Sequence, residues 1–171
     1  MTNIIQHKIG SLKSFPINSR VIDKLYLEWH ETNKRIQRKK TESGFELSLK
    51  FLNNNPELTE DDILWEDEKS LVVVDIIPCD CIVIKPGSMQ EMGAICYEIG
   101  NKHLPLFYEE AELLIPYDAP IFRLFQASGY IIKVEKRKLL NAFKTSVQSH
   151  EHRNDGETLF SKIMKITRTT G

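Results

Sequence analysis

The order of periodicities after Pro78 constrains this chain more than any other feature. Cys79 to Lys85 is an apolar, β-branched run, Pro86-Gly87 breaks it, and then Met89, Met92, Ile95, Cys96 and Ile99 recur at helical spacing. An apolar side chain every three or four residues makes a stripe along one side of a helix, so these five are predicted core, with Gln90, Glu91 and Glu98 on the opposite side. Ser88 followed three residues later by Glu91 fits a capping box for the first turn, and Gly100-Asn101 supplies the ending. Leu104 to Tyr108 and Leu113 to Ile115 read as a hairpin across Glu109-Glu110-Ala111-Glu112. A second helix is capped by Asp118, tolerates Pro120 in its first turn, carries Ile121, Leu124 and Phe125 as its apolar face, and stops at Gly129. Tyr130 to Glu135 is a last strand. Strand, helix, strand, strand, helix, strand is the split βαβ, ferredoxin-like order, in which two helices cover one face of a four-stranded antiparallel sheet.

Before Pro78 the pattern is different. Ile4 to Ile9, Val21 to Trp29, Arg35 to Thr41, Phe45 to Leu52, Asp62 to Glu66 and Leu71 to Ile77 are short alternating or β-branched runs, separated by turn-forming segments such as Ser43-Gly44 and Asn53-Asn54-Asn55-Pro56. Six such strands suit a small barrel or sandwich. The expected class is therefore α+β in two domains: an all-β module over 1–77, and a ferredoxin-like domain over 78–144. A tail over 145–171 follows. Beyond Lys136 seven bases face three acids, and Ser, Thr, Gln and Asn are frequent, so the tail is expected to be mobile, although Leu159 to Ile166 is apolar enough to dock as a short element.

Composition excludes several classes of function. With 23 Lys plus Arg against 24 Asp plus Glu the chain has no global attraction for nucleic acid or an anionic membrane. Its strongest apolar run, Leu71 to Ile77, is interrupted by Asp75 and is far shorter than the roughly 18–20 residues that span a bilayer. Met1 to Gly10 lacks the basic stub and apolar stretch of a signal peptide, so a cytoplasmic location is expected, with the three cysteines held as thiols. There is no phosphate-binding Gly-x-x-x-x-Gly-Lys-Ser/Thr loop, no His-Glu-x-x-His helix and no Gly-x-Ser-x-Gly elbow, which argues against nucleotide hydrolysis and the familiar hydrolytic mechanisms. The aromatic, basic central strand of an RNA-binding ferredoxin-like module is also missing. No enzymatic activity is expected.

The candidates for chemistry are few. Glu98-Ile99-Gly100-Asn101-Lys102-His103 would turn the chain out of the helix and present His103 at the mouth of the next strand. A lone histidine is compatible with a surface or core role, and one imidazole is a poor site for a divalent ion such as nickel or zinc, which wants several nitrogen or oxygen donors. A twofold axis near His103 removes that objection by setting two imidazoles face to face. His150-Glu151-His152 in the tail reads either as solvated polar residues or as donors that fold over an ion held elsewhere. Imidazole binds metal only when neutral, and free imidazole titrates near about 6.5, so such a site weakens as pH falls through roughly 6–7.

Cys79-Asp80-Cys81 puts two sulfurs on one strand face, either as a soft-metal pair or as small buried thiols. Cys96 reads as core, and His7 and His30 are assigned no role. The basic run Lys34 to Lys40 could attract phosphate or an acidic partner, or form a solvated strand face with Ile36 pointing inward.

Leu27-Glu28-Trp29, Asn33-Lys34-Arg35-Ile36, Val83-Ile84-Lys85-Pro86, Met89-Gln90-Glu91-Met92-Gly93 and, most specifically, Glu98 to His103 resemble the signature segments of the urease accessory protein E family over nearly the whole chain. The resemblance implies an amino-terminal domain similar to chaperone peptide-binding modules, a ferredoxin-like metal-binding domain, and a head-to-head homodimer holding nickel between two copies of His103. It implies further ligands from the tail, mapping onto His150 or His152, and delivery of nickel to the urease apoprotein with a GTP-hydrolysing urease accessory protein. This tail has two histidines rather than the long histidine-rich extension of some relatives, so bulk metal storage is not expected. The alternative is a peptide-binding chaperone or scaffold of the urease maturation complex, with incidental metal binding.

Overall fold

The computed structural model describes residues 3–52 and 55–143; His150, His152 and the expected tail lie outside the described residues. Seven strands make the first part: β1 (Asn3–Ile5), β2 (Gly10–Ser11), β3 (Val21–Leu27), β4 (Ile36–Lys40), β5 (Glu46–Lys50), β6 (Asp62–Glu66) and β7 (Ser70–Ile76). They form two sheets, ordered β1-β5-β4 and β2-β6-β7-β3. Ile5, Leu47 and Leu49 of the smaller sheet pack against Leu25, Leu27, Leu64, Val72, Val74 and Ile76 of the larger, giving one core between the two layers. Of the two expected architectures this is the sandwich.

Three local expectations change. The run Ile4 to Ile9 yields only the end of β1, and pairing resumes past it at β2 in the other sheet, because the chain crosses between layers and Ile9 donates its amide to Ile63 O at 2.8 Å. Trp29 does not end a strand; it opens a single 3-10 turn, Trp29–Glu31, whose Glu31 carboxylate accepts the Glu28 amide at 3.1 Å. Ile36 points outward and is 64% exposed. Gln37 and Lys39 take the half-buried positions instead, because both find a polar partner there: Gln37 donates to Glu31 O at 3.0 Å and Lys39 pairs with the Glu31 carboxylate.

The second part contains β8 (Cys79–Ile84), α1 (Met89–Asn101), β9 (Phe107–Glu109), β10 (Glu112–Pro116), α2 (Ala119–Ala127) and β11 (Ile132–Arg137). All pairs are antiparallel in the order β11-β8-β10-β9, which is the ferredoxin-like sheet. On its helix side Ile82, Ile84, Leu113 and Ile115 pack against Ile95, Ile99 and Phe125. The helix faces differ in detail from expectation. Met89 is 87% exposed, since it precedes the first turn that reaches the sheet. Leu124 is 38% exposed, and Phe122 packs on the core in its stead. At the start of α1 Ser88 Oγ accepts the Glu91 amide as expected, but the Glu91 carboxylate reaches one residue further back, to the Gly87 amide at 2.7 Å.

The sheet's other face is divided. Cys81, Val83, Phe107 and Leu114 lie under Trp29 and Leu139, so the first part of the chain covers this half. The other half carries a charge lattice in which Arg137 bonds Glu109, Glu112 and Glu135, and Lys133 pairs with Glu112 and Glu135. Two further contacts tie the parts together. Trp29 meets Phe107 edge to face at 5.7 Å. Lys138, just past β11, bonds Glu60 at 2.7 Å and Asp75 at 2.6 Å. Burial alone would push the Asp75 carboxyl up, but hydrogen bonds from Lys138 and Lys24 outweigh it and hold the group below its ordinary range.

Candidate metal centre

His103 sits at the end of α1, in a conformation the sequence did not reveal. The helix runs through Gly100 and Asn101, and the left-handed residue is His103 itself, with φ of 53°. Leu104 N donates to Ile99 O at 3.2 Å and His103 N to Gly100 O at 3.0 Å. These are the two hydrogen bonds of a Schellman ending, with His103 in the position that glycine ordinarily fills. The apolar contact that accompanies the motif is present too, because Leu104 packs on the cluster containing Ile99. The expectation that Gly100-Asn101 makes the turn is therefore corrected: Gly100 lies inside the last helical turn, and the reversal occurs three residues after it, at His103.

Helix α2 ends the same way, which gives an internal comparison. Tyr130 N donates to Phe125 O at 3.3 Å and Gly129 N to Gln126 O at 3.1 Å, and Gly129 has φ of 80°. One motif thus closes both helices, with glycine in one and histidine in the other. A side chain other than glycine is strained in this backbone region, which among the described residues His103 shares with Asn18, Ser19, Glu57, Asp61 and Glu110. His103 is exposed, and β9 begins only at Phe107, so the imidazole projects from the helix end rather than from the mouth of a strand.

The described residues of one chain do not complete a metal shell here. Among the described residues no group of three or more His, Cys, Asp or Glu side chains is placed to hold an ion. Glu98, one turn back, is paired with Lys102 at 3.8 Å. The exposed side of α1 carries two glycines at which an added Cβ would meet nothing, Gly93 and Gly100, with Tyr97 between them 72% exposed. Glycine inside a helix costs about 0.5–1 kcal/mol relative to alanine, and nothing among the described residues packs closely enough to require it at these positions.

The other candidates resolve unequally. Cys79 and Cys81 do share one face of β8, with sulfurs 3.7 Å apart. Cys81 is fully buried and donates to Cys79 O at 3.2 Å. Burial, followed by the adjacent Cys79, pushes its thiol up to about 12, and burial raises Cys79 as well. Cys81 is fully buried, and among the described residues no third His, Cys, Asp or Glu stands with the pair to hold an ion, which supports the small-buried-thiol reading. Cys96 packs against the helix-side core as expected. His7 is exposed. His30, assigned no role, lines a cleft of about 880 Å³ between the two parts of the chain, together with Trp29, Phe107, Tyr108, Leu139 and Phe143. No local pattern foretells this cleft, because residues far apart in the chain build it.

The geometry can now be set beside known proteins. A family model described as the UreE urease accessory protein N-terminal domain matches residues 5–76, and the corresponding C-terminal domain model matches residues 79–158. The chain belongs to the UreE urease accessory protein family. Its C-terminal match takes in His103, His150 and His152. Among proteins named urease accessory protein UreE, that of Flavobacterium johnsoniae is 47% identical over 165 residues, covering 96% of this chain and 99% of its own length. The Geobacillus kaustophilus UreE is 38% identical over 148 residues, 86% of this chain and 99% of its own. The Haemophilus influenzae UreE is 34% identical over 152 residues, 86% of this chain and 82% of its own. Among the described residues no helix is long and apolar enough to cross a membrane.

Proposed function

We propose that this UreE family member is a nickel metallochaperone that carries Ni(II) as cargo to the urease apoprotein and performs no chemistry on a substrate. The observation that carries the reading is His103, an exposed imidazole held in a left-handed C-terminal cap where its helical counterpart has Gly129. Each chain supplies one such donor, so the shell is completed by symmetry. Two copies pair head to head about an axis near His103, their imidazoles meeting across it, and the side of α1 bearing Gly93 and Gly100 allows a close approach. The 145–171 tail adds a further imidazole donor to this site, His150 or His152. An open shell of borderline nitrogen donors suits an ion that must be released, and zinc would occupy the same donors. Because protons compete with metal for imidazole, affinity falls on acidification.

Release proceeds to the urease apoprotein together with a GTP-hydrolysing urease accessory protein, which supplies the phosphate-binding loop this chain lacks. Isothermal titration calorimetry with nickel on His103→Ala tests the site. Loss of the high-affinity event is expected, whereas unchanged affinity removes the interfacial site. Native mass spectrometry during the titration reads the dimer and the number of ions together. The aromatic cleft between the two parts favours a second reading, a peptide-binding scaffold in which metal is incidental. Full urease activation at limiting nickel by a chain lacking His103, His150 and His152 would establish that reading in place of the first.

A further inference from the structure

Strand β4 is an edge of the three-stranded sheet, hydrogen-bonded to β5 on one side and, among the described residues, to no strand on the other. Arg35 O accepts from Phe51 N and Thr41 N donates to Phe45 O, so the odd-numbered residues turn their peptide groups toward β5. By the alternation of an antiparallel ladder, Ile36, Arg38 and Lys40 turn theirs off the edge. Their side chains stand out from the sheet as well. Ile36 is 64% exposed, Arg38 and Lys40 are exposed, and Ile4 is 53% exposed in the same cross-sheet row as Arg38. Arg35, Arg38 and Lys50 have no ion-pair partner among the described residues, and Lys40 shares Glu46 at 3.5 Å with both side chains more than 60% exposed.

Cations on an edge strand ordinarily keep like strands from pairing. That repulsion has a sign. It disfavours a second copy of β4 and favours a strand of opposite charge, while Ile36 offers an apolar contact that solvation of the edge does not require. We propose that β4 accepts an acidic extended segment of a partner protein as an added strand. The segment's main chain bonds Ile36, Arg38 and Lys40, its carboxylates lie opposite Arg38 and Lys40, and an apolar side chain lies opposite Ile36. This inference stands on the first sheet and is independent of nickel binding at His103.

The test uses the full chain and a fluorescein-labelled peptide in which every second residue reads valine, glutamate, glutamate, so that one face of the added strand carries both the apolar and the acidic partners, followed by fluorescence polarisation. Ile36→Pro closes the edge without removing any cation, because that amide is outside the β4–β5 ladder. Ile36→Pro and Arg38→Glu should each weaken binding about tenfold or more, the loss expected for charge-assisted or main-chain bonds at an exposed site. A peptide with lysine in place of glutamate should not bind. Amide hydrogen exchange should slow at Ile36, Arg38 and Lys40 in the complex, which decides the matter even if Ile36→Pro does not fold. Nickel affinity should be the same in all variants, so a failure here is distinct from a failure of the carrier reading. The proposal is overturned if the parent chain does not bind the peptide, if Ile36→Pro binds as the parent does, or if heparin or a single-stranded oligonucleotide binds equally well with no protection at β4.

Discussion

Replacing His103 by glycine separates the proposed metal binding from folding, because the two expected effects have opposite signs. The residue occupies φ of 53° in a motif whose partner at the end of α2 is Gly129 at 80°. An L-residue in this region costs roughly 1–2 kcal/mol, and glycine gives back about 0.4–1 kcal/mol of that through its greater freedom in the unfolded chain. His103→Gly should therefore stabilise the metal-free protein by about 0.5–1 kcal/mol, which for a chain of this length raises the melting temperature by roughly 1–4 °C. The same variant should lose high-affinity nickel binding. The converse substitution, Gly129→Ala, introduces the strain where an added Cβ would meet nothing, so it should lower the melting temperature by a similar amount through backbone conformation alone. Differential scanning calorimetry in the presence of a chelator and nickel titration of the same preparations give both readouts. A metal-free His103→Gly protein that melts several degrees lower would refute the reasoning, since the histidine would then be retained for contacts rather than for its nitrogen.

Other outcomes follow from the packing and charge. Gly93→Ala with Gly100→Ala should stabilise the dissociated chain by about 0.5–1 kcal/mol per site while weakening self-association measured by sedimentation; unchanged association would place the dimer interface elsewhere. Asp75→Asn should cost about 1–3 kcal/mol at neutral pH, the worth of its hydrogen bonds to charged Lys138 and Lys24. Because the folded carboxyl is held low, that stability is fully present above the unfolded value near about 3.9 and is lost as pH falls through the lower folded value. Melting curves of parent and variant should accordingly converge in acid, and a gap that persists there would contradict the linkage. With the Cys81 thiol at about 12, iodoacetamide at neutral pH should alkylate Cys79 well before Cys81 in the native protein and all three cysteines in denaturant. Mass spectrometry showing Cys81 labelled natively at its denatured rate would rule that burial out.

Residue order by itself determined the two-part plan. A stripe such as Met92, Ile95, Cys96 and Ile99, the caps at Ser88 and Asp118, and the strand β8 are local patterns, and local patterns follow from backbone periodicity and the partners available within a few residues. For the same reason the segment Glu98 to His103 already singled out the residue on which the functional reading rests. Tertiary structure decided which way the ambiguous residues face. Ile36 and Leu124 look like core in sequence but are exposed, because Gln37, Lys39 and Phe122 find partners inside that only the folded chain provides. It also moved the reversal from Gly100 to His103. Where a helix stops depends on whether the following apolar residue, here Leu104, can reach the core while the last carbonyls are satisfied, and that geometry exists only once the helix lies on its sheet.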